Sequence, residues 1–395
     1  MGGGTAEPGR MLDELLGRAV RKGASDLHIE PKPEGAEVLF RLDGVLQKVD
    51  EIPHRLLRPL IVRLKAITGL QVHRTDVPQE GRLLLSLDGA KVTARVALIP
   101  TIHGEKAVIR FPVRRALELD ELGMERGMFE RLTRLLGEPQ GTILLTGPAN
   151  SGKTTTMYAS LLYVHRRSGG TRSIYTIEDP VELDIGVASQ VEVRPKVGLT
   201  FASALRTILR QDPEVIMVGE IRDPETAELA VRAGLTGHLV LSTVHARSAP
   251  GVFARLIDMG VRPYLVGSSV TAVIEQRLVR RVCKGCARPC EPTEEELSAL
   301  GLTRGELPEG EFVKGMGCEA CSGTGYSGRV GIFRMLEVTD RLRELIVSGA
   351  PTAEIEGAAR EEGMGTLLQD GLLKVARGET TLAELSRVLG RWSGR

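Results

Sequence analysis

An apolar run, Thr142-Ile143-Leu144-Leu145-Thr146, leads directly into Gly147-Pro148-Ala149-Asn150-Ser151-Gly152-Lys153-Thr154, and a helix-compatible run, residues 155–163, follows. No other stretch limits the fold so strongly. The spacing G-x-x-x-x-G-K-T between a strand and a helix lets backbone N–H groups curl around phosphate oxygens at a helix N-terminus, where the helix dipole also favours an anion. In that arrangement Lys153 reaches the β- and γ-phosphates and the Thr154 hydroxyl binds Mg²⁺. Thr155 completes the phosphate-binding turn.

The strand before this turn has companions. Residues 174–177, 215–218 and 239–242 are also short, apolar and rich in β-branched side chains. Such runs alternating with helical stretches predict a buried parallel sheet with crossover helices, an α/β domain. It is expected to span 124–395, with a cysteine-bearing segment interrupting past Gln276 and helices from about Thr339.

The first 113 residues have another texture. After a tail at residues 1–10, Leu12, Leu15, Leu16, Ala19 and Val20 have helical spacing, as do Leu56, Leu57, Leu60, Ile61, Leu64 and Ile67. Strands are expected at 26–30, 38–42 and 108–111, with hairpin turns at Asp43-Gly44 and Asp88-Gly89. This reads as a small α+β domain, joined to the other by a linker at 114–123.

Composition excludes some classes. Lys and Arg number 52 against 51 Asp and Glu, a net charge of +1, and aromatic residues make up only 3%. A strongly basic nucleic-acid protein and an aromatic base-stacking groove are both disfavoured. No apolar run approaches the ~20 residues of a membrane span. The N-terminus has neither a secretory signal nor, with Ala6 where Ser or Thr is wanted, a myristoylation pattern. The chain is therefore read as cytoplasmic.

Phosphoryl chemistry needs carboxylates near the bound phosphates. Glu220 ends the strand 215–218 after Gly219, which stands where Asp is common. Glu178, Asp179 and Glu182 follow the strand 174–177, with Pro180 ending it. Both groups would sit at the carboxyl edge of the sheet, where ligands bind in open α/β folds. His238 and His245 flank the strand between them and are candidate sensors of the γ-phosphate. Arg206 and Arg210, four apart on one helix face, and Arg222 are candidate phosphate contacts, as structural ion pairs or as fingers offered to a neighbouring subunit. Cys283-x-x-Cys286 and Cys318-x-x-Cys321, 31 residues apart, suit a closed tetrahedral Zn²⁺ site. Cys290 is an alternative ligand, an iron–sulfur cluster an alternative occupant. Glu294–Glu296 lies in the gap, which can loop out.

Taken in order, these blocks resemble the ATPases of type II secretion and type IV pilus assembly. They are the phosphate loop, Ile177-Glu178-Asp179-Pro180-Val181-Glu182, Arg206 through Pro213, Val218-Gly219-Glu220-Ile221-Arg222-Asp223, Thr236-Gly237-His238 and Ser242-Thr243-Val244-His245-Ala246. Gly219 is ordinary in that family. The likeness extends through Gln276-Arg277-Leu278-Val279-Arg280 and Gly328–Phe333, and back to Ser25–Glu30, Arg41–Gly44, Pro78–Arg82 and Arg95-Val96.

The resemblance implies a hexameric ring of subunits, each a small N-terminal domain and a RecA-like ATPase domain with ATP between them. It implies Mg²⁺ near Thr154 and Glu220, and the acidic blocks activating water. Arg82, Arg95, Arg206, Arg210 and Arg222 would contact phosphates or the acidic groups. ATP-driven rocking would move an inner-membrane platform, with cytoplasmic anchoring subunits as further partners and no nucleic acid expected. The four cysteines favour the assembly or secretion branch over the retraction branch. Assembly members often carry a further N-terminal docking domain; here about ten residues precede the first helical run, which fits a short form or a shortened chain. A DNA-translocating RecA-like motor and a nucleotide-regulated scaffold are the rival readings.

Overall fold

Every residue of the strand Gly141–Thr146 is buried, with alternate side chains entering two different cores. That two-sided burial fixes an α/β arrangement with helices on both faces of a sheet. The computed structural model describes residues 6–87, 90–112 and 115–390. It divides into two units, Met1–Arg115 and Ala116–Arg395.

In the first unit, six antiparallel strands form one sheet. They are β1 (Asp26–Lys32), β2 (Gly35–Leu42), β3 (Val45–Pro53), β4 (Gln79–Leu87), β5 (Ala90–Thr101) and β6 (Gly104–Arg110), in the order β3-β2-β1-β6-β5-β4. Two helices, α1 (Ala6–Arg21) and α2 (His54–Thr68), bury their apolar stripes against one face. Leu27, Ile29, Val38, Phe40, Val96, Leu98 and Ile109 meet Leu12, Leu15, Leu16, Leu60 and Leu64 there. Strand alternation leaves the other face polar. Residues 6–10, expected to be a tail, already belong to α1, and the expected turn at Asp88-Gly89 lies outside the described residues.

The second unit holds a seven-stranded sheet. In chain order its elements are α3 (Arg126–Leu136), β7 (Gly141–Thr146), α4 (Lys153–Arg167), β8 (Ile174–Glu178), β9 (Ser189–Glu192), α5 (Phe201–Ile208), β10 (Val215–Val218), α6 (Pro224–Leu235), β11 (Leu239–Thr243), α7 (Gly251–Asp258), α8 (Pro263–Ser269) and β12 (Val270–Val282). The cysteine segment brings β13 (Ala287–Pro289), α9 (Glu294–Leu300) and β14 (Val313–Gly315). Then come β15 (Tyr326–Glu337) and four helices, α10 (Asp340–Val347), α11 (Thr352–Glu361), α12 (Leu367–Ala376) and α13 (Leu382–Leu389).

The strand order is β15-β12-β7-β11-β10-β8-β9, parallel except for the β12–β15 pair. β7 and α4 open the sheet; the chain then fills one side through β8, β10 and β11 and crosses to β12 on the other. The carboxyl end of β7 therefore lies at a topological switch point, where open α/β sheets place their ligands. One core joins the sheet to α5, α6, α7, α8, α10 and α11, the other to α3 and α4. Each fully buried aliphatic side chain there contributes about 1.5–3 kcal/mol relative to exposure.

Three expectations change. Within the stretch 114–123, read as linker, residues Leu119–Leu122 form a 3-10 turn whose two leucines are buried in the core beside α3. The cysteine-bearing segment interrupts the sheet later than Gln276, because β12 runs on to Val282 and pairs with β15 from Ala272↔Glu337 to Val282↔Tyr326. The acidic stretch 294–296 does not loop out. It is the first turn of α9, capped by Thr293, and Leu297 and Leu300 are buried against Val279, Leu382 and Leu385.

Candidate functional site: a phosphate loop with an acidic edge, and a four-cysteine centre

The loop after β7 is shaped by its neighbours. Gly147 has φ +148°, and a Cβ on it would lie 2.5 Å from the Gln276 carbonyl oxygen, so no other residue fits without moving β12. Pro148, Ala149 and Asn150 form the exposed crown, and Asn150 takes a left-handed turn at φ 61°. Gly152 precedes α4, whose first residues are Lys153, Thr154 and Thr155. The side chain of Gln276 donates to the carbonyl of buried Ser151 at 2.6 Å. Lys153 Nζ donates to the carbonyls of Gly147 and Pro148, 2.9 Å each. Burial, then the charge of Arg277, holds the Lys153 ammonium below its usual range, with Glu220 acting in the opposite sense. A half-buried cation at a helix N-terminus is an anion site in chemical terms.

The acidic residues divide by environment. Glu220 lies two residues past Val218, the end of β10. Its carboxylate, 14% exposed, pairs with Arg222 Nε at 2.6 Å and lies 3.7 Å from His245 Nε2. Gly219 explains why no Asp precedes it: a Cβ there would lie 3.1 Å from the Ile177 carbonyl oxygen on β8. Glu178 is buried and saturated. It accepts from Tyr158 Oη, from Thr176 Oγ1 at 2.6 Å and from Gln190 Nε2 at 3.0 Å. Burial, then the bond to Glu178, drives the Tyr158 phenol far above its ordinary pKa, so it stays a donor. Gln190 also donates to Leu183 O and accepts from Ile185 N, so Glu178 anchors the loop that follows β8. Asp179 and Glu182 are exposed on that loop.

The two histidines part company. His245 joins Glu220 at the carboxyl edge of the sheet. His238 stands before β11, at the amino edge, where Gly141 N donates to its carbonyl. Its ring meets Ala233 O at 3.1 Å and Thr236 Oγ1 at 3.4 Å. A five-residue strand separates the two histidines, about 16 Å at ~3.3 Å per residue, so His238 does not reach the phosphate loop of its own chain.

The arginines divide likewise. Arg206 pairs with Glu225 at the start of α6. Arg210 lies two residues past the end of α5, because the helix closes at Ile208, and donates to the Arg206 carbonyl; the shared helix face expected for the two is absent. Of these three, Arg222 is the one on the acidic edge.

In the first unit the register sets Arg82 opposite Arg95 and Arg95 opposite Arg110, on the polar face of the sheet. Arg110 in turn faces Asp26, whose carboxylate takes its Nε at 2.8 Å, and Asp26 faces Arg41. Like charges on directly opposed positions repel, and Asp26, paired with both Arg110 and Arg41, offsets that repulsion at one end of the row. The resemblance gave roles to Arg82 and Arg95, carried Arg41 without a role and did not name Arg110; the strand register sets all four in one row.

The cysteines converge. The Sγ atoms of Cys283, Cys286, Cys318 and Cys321 all lie within 4.8 Å of one another, with separations of 3.8, 3.8 and 3.7 Å for 283–318, 286–321 and 318–321. Four thiolates at ~2.3 Å from one tetrahedral Zn²⁺ stand about 3.8 Å apart, so the set fits a single ion. A cluster of several irons would hold its sulfurs farther apart. Cys290 is not in the group; its N–H bonds Phe312 O instead. Amide N–H groups of Gly317, Cys318 and Gly325 point at the sulfurs at 3.2–3.3 Å. Burial would raise the Cys321 thiol, but the amides of Cys318 and Gly325 and the neighbouring thiols at its sulfur outweigh it and lower it to about 6, while burial pushes Cys286 up to about 11. The two knuckles close only because Gly315 and Gly325 meet without side chains: a Cβ on Gly315 would sit 1.9 Å from the Gly325 carbonyl oxygen.

Comparison with known proteins agrees with this arrangement. A family described as Type II/IV secretion system protein matches residues 4–387. Type II secretion system protein HxcR of Pseudomonas aeruginosa is 42% identical over 381 residues, 96% of this chain and 76% of that protein. Type IV pilus assembly ATPase PilB of Thermus thermophilus is 42% identical over 379 residues, 95% of this chain but 42% of that protein, so this chain spans less than half of that relative's length. The crystal structure of the pilus retraction motor PilT with bound ADP superposes with a TM-score of 0.58 at 25% identity, covering 90% of this chain and 94% of that one. By motif order, sheet topology and these matches, the chain belongs to the type II/IV secretion system protein family.

Proposed function

We propose that the chain is the Mg²⁺-dependent ATPase subunit of a hexameric ring that powers pseudopilus or pilus assembly. The observation that carries the reading is the Lys153 ammonium held at the stem of the phosphate loop, on the same sheet edge as Glu220, Arg222 and His245. The printed names of the relatives, and the ADP in the related pilus motor, support ATP as the ligand.

Hydrolysis in such a site is positioning and charge stabilisation more than covalent chemistry. Lys153 and the backbone N–H groups of residues 149–155 hold the phosphate chain. Thr154 and Glu220 fit a Mg²⁺ ion, since a hydroxyl and a carboxylate are hard oxygen donors and Glu220 acts electrostatically on Lys153. When bound, that ion neutralises phosphate charge. Glu178 is saturated by three donors, so its part is to fix the loop after β8; Glu220, open on one side, and the exposed Asp179 and Glu182 are left to orient or activate water. Arg222 holds Glu220 until a phosphate competes for it. Arg82, Arg95, Arg206 and Arg210 serve as contacts to phosphates or acidic groups in the ring.

The four cysteines hold a structural Zn²⁺, with no open coordination position. The ring sits at the cytoplasmic face of the inner membrane against a membrane platform and anchoring subunits; no helix among the described residues is long and apolar enough to cross a membrane. The test is ATP turnover of the purified ring with and without duplex and single-stranded DNA, beside Lys153→Ala and Glu220→Gln. Turnover that needs Lys153, falls in Glu220→Gln with ATP still bound, and ignores DNA is the expected result. Strong stimulation by DNA makes the chain a DNA motor, and indifference to both substitutions makes it a scaffold.

A further inference from the structure

Two cations stand at the stem of the phosphate loop, and the loop motif accounts for one of them, Lys153. The other is Arg277. β12 runs parallel to β7 with Glu275 beside Thr146, so Gln276, Arg277 and Leu278 lie alongside the loop itself. Arg277 Nη1 donates to the Gln276 carbonyl at 3.0 Å, and Nη2 lies 3.2 Å from Glu275 Oε1. An ideal Cβ on Gly147 would be 3.2 Å from Arg277 Nη1 and 2.7 Å from Ser151 Oγ. The guanidinium is therefore packed against the loop's first glycine. Ser151 Oγ, on a residue only 3% exposed, makes no hydrogen bond and lies at the same spot.

Glu275 does not depend on Arg277. Its other oxygen takes Arg334 at 2.7 Å and Ala249 N at 3.1 Å, and Arg334 is paired further with Glu356. The carboxylate stays compensated when Arg277 is removed. Two half-buried cations beside one loop repel each other, and that repulsion is relieved when an anion joins them. Two part-buried cations brought together from sequence-distant positions make a site suited to a polyphosphate.

We propose that Arg277 is the second cation of the phosphate site, its guanidinium aimed by Glu275 and the Gln276 carbonyl at the phosphate chain of a bound nucleotide, with Ser151 Oγ donating beside it. This rests on the reading of the loop as a nucleotide site. Arg is needed because its planar fork serves Gln276 and Glu275 together while leaving donors for phosphate; an ammonium is a single point charge.

The experiment uses the full chain with Mg-ADP as probe. Binding is measured by calorimetry and melting is followed with and without the nucleotide, for wild type, Arg277→Met, Arg277→Lys and Lys153→Ala. Arg277→Met is expected to melt without nucleotide no lower than wild type. It should bind Mg-ADP about 10- to 100-fold more weakly, the scale of one hydrogen bond to a charged group, and lose part of the nucleotide-induced rise in melting temperature. Arg277→Lys should recover part of the affinity. A lowered melting temperature with unchanged affinity would make Arg277 a structural tie and overturn the proposal, as would no change in either. If Lys153→Ala binds Mg-ADP like wild type, the nucleotide reading itself falls; if Lys153→Ala loses binding and Arg277→Met keeps it, the proposal alone falls. Should Arg277→Met not fold, Arg277→Gln, polar and uncharged, is read in the same way.

Discussion

Replacing Glu178 with Gln separates a carboxylate that holds the site from one that does its chemistry. The wild-type carboxylate accepts from Tyr158, Thr176 and Gln190 in a buried setting. A hydrogen bond to a charged group contributes about 1.5–3 kcal/mol and a neutral one about 0.5–1.5. The change is isosteric, so no cavity opens. One of the two atoms now facing the donors is an NH₂ group, and either the Tyr158 hydroxyl or the Thr176 hydroxyl must turn to accept. At about 1 kcal/mol lost for each of three bonds, the variant should be about 3 kcal/mol less stable. For a unit of this size that is a fall of roughly 6–12 °C in melting temperature. Gln190 loosens with it, so amide exchange should quicken over residues 179–188, the loop that Gln190 pins through Leu183 and Ile185. Melting by calorimetry and hydrogen exchange by mass spectrometry read both effects. Glu220→Gln is the control and should melt like wild type. An unchanged melting temperature together with lost turnover would refute the clamp and make Glu178 a chemical group.

Other outcomes are as specific. Purified without chelator, the chain should carry one zinc per subunit. Removing it, or substituting Cys286 by Ser, should unfold the segment 283–325 and lower the melting temperature, with phosphate-loop binding of Mg-ADP retained. Glu384 is fully buried between Arg280 and Arg387. Burial would raise its carboxyl, but the bonds from Arg387 and Arg280 outweigh it and hold it below the ordinary value of 4.5. Its stabilising contribution is therefore complete above about pH 4.5 and lost as pH falls through the lower folded value; Glu384→Gln should flatten that acid limb in urea titrations between pH 6 and 3. His238→Ala should leave the turnover of a single site within a few-fold of wild type, while His245→Ala, beside Glu220, should lower kcat.

What the sequence disclosed follows from where information is local. The phosphate loop, the four short buried strands and the cysteine pairs are each written in a few consecutive residues, and each appears in the structure at those positions. The strand 215–218 was legible to the residue because β-branched side chains fill both its faces. The helical run 12–20 was legible because its apolar stripe repeats at 3.6. What escaped depends on partners far away in the chain. Arg277 reads as one more charge in a basic stretch until the parallel pairing with β7 lays it against Gly147. Glu178 reads as one more acidic candidate at the sheet edge until Tyr158 and Gln190 close over it. His238 has a neighbour in sequence at the right edge of the sheet, yet a strand's length carries it to the other edge. Arg210 shows a boundary effect: two residues past the end of α5, a four-residue spacing no longer means a shared face.

The way β12 and β15 meet has a bearing on how such chains can vary. Because Val282 faces Tyr326, the polypeptide leaves the sheet and returns to it at one point, and the 43 residues between touch the rest of the unit mainly through the apolar cluster around α9 and the bond from Glu311 N to the Ala376 carbonyl. A span of this kind is a graft site. It can be lengthened, replaced or reduced to a tight hairpin at small cost in loop-closure entropy, which grows only with the logarithm of length. The constraint on a shortened version is a lid rather than a hinge: Leu297 and Leu300 roof the pocket of Val279, Leu382 and Leu385. A chain that dispensed with the metal module would have to make those few positions polar, and little else in the sheet would need to change.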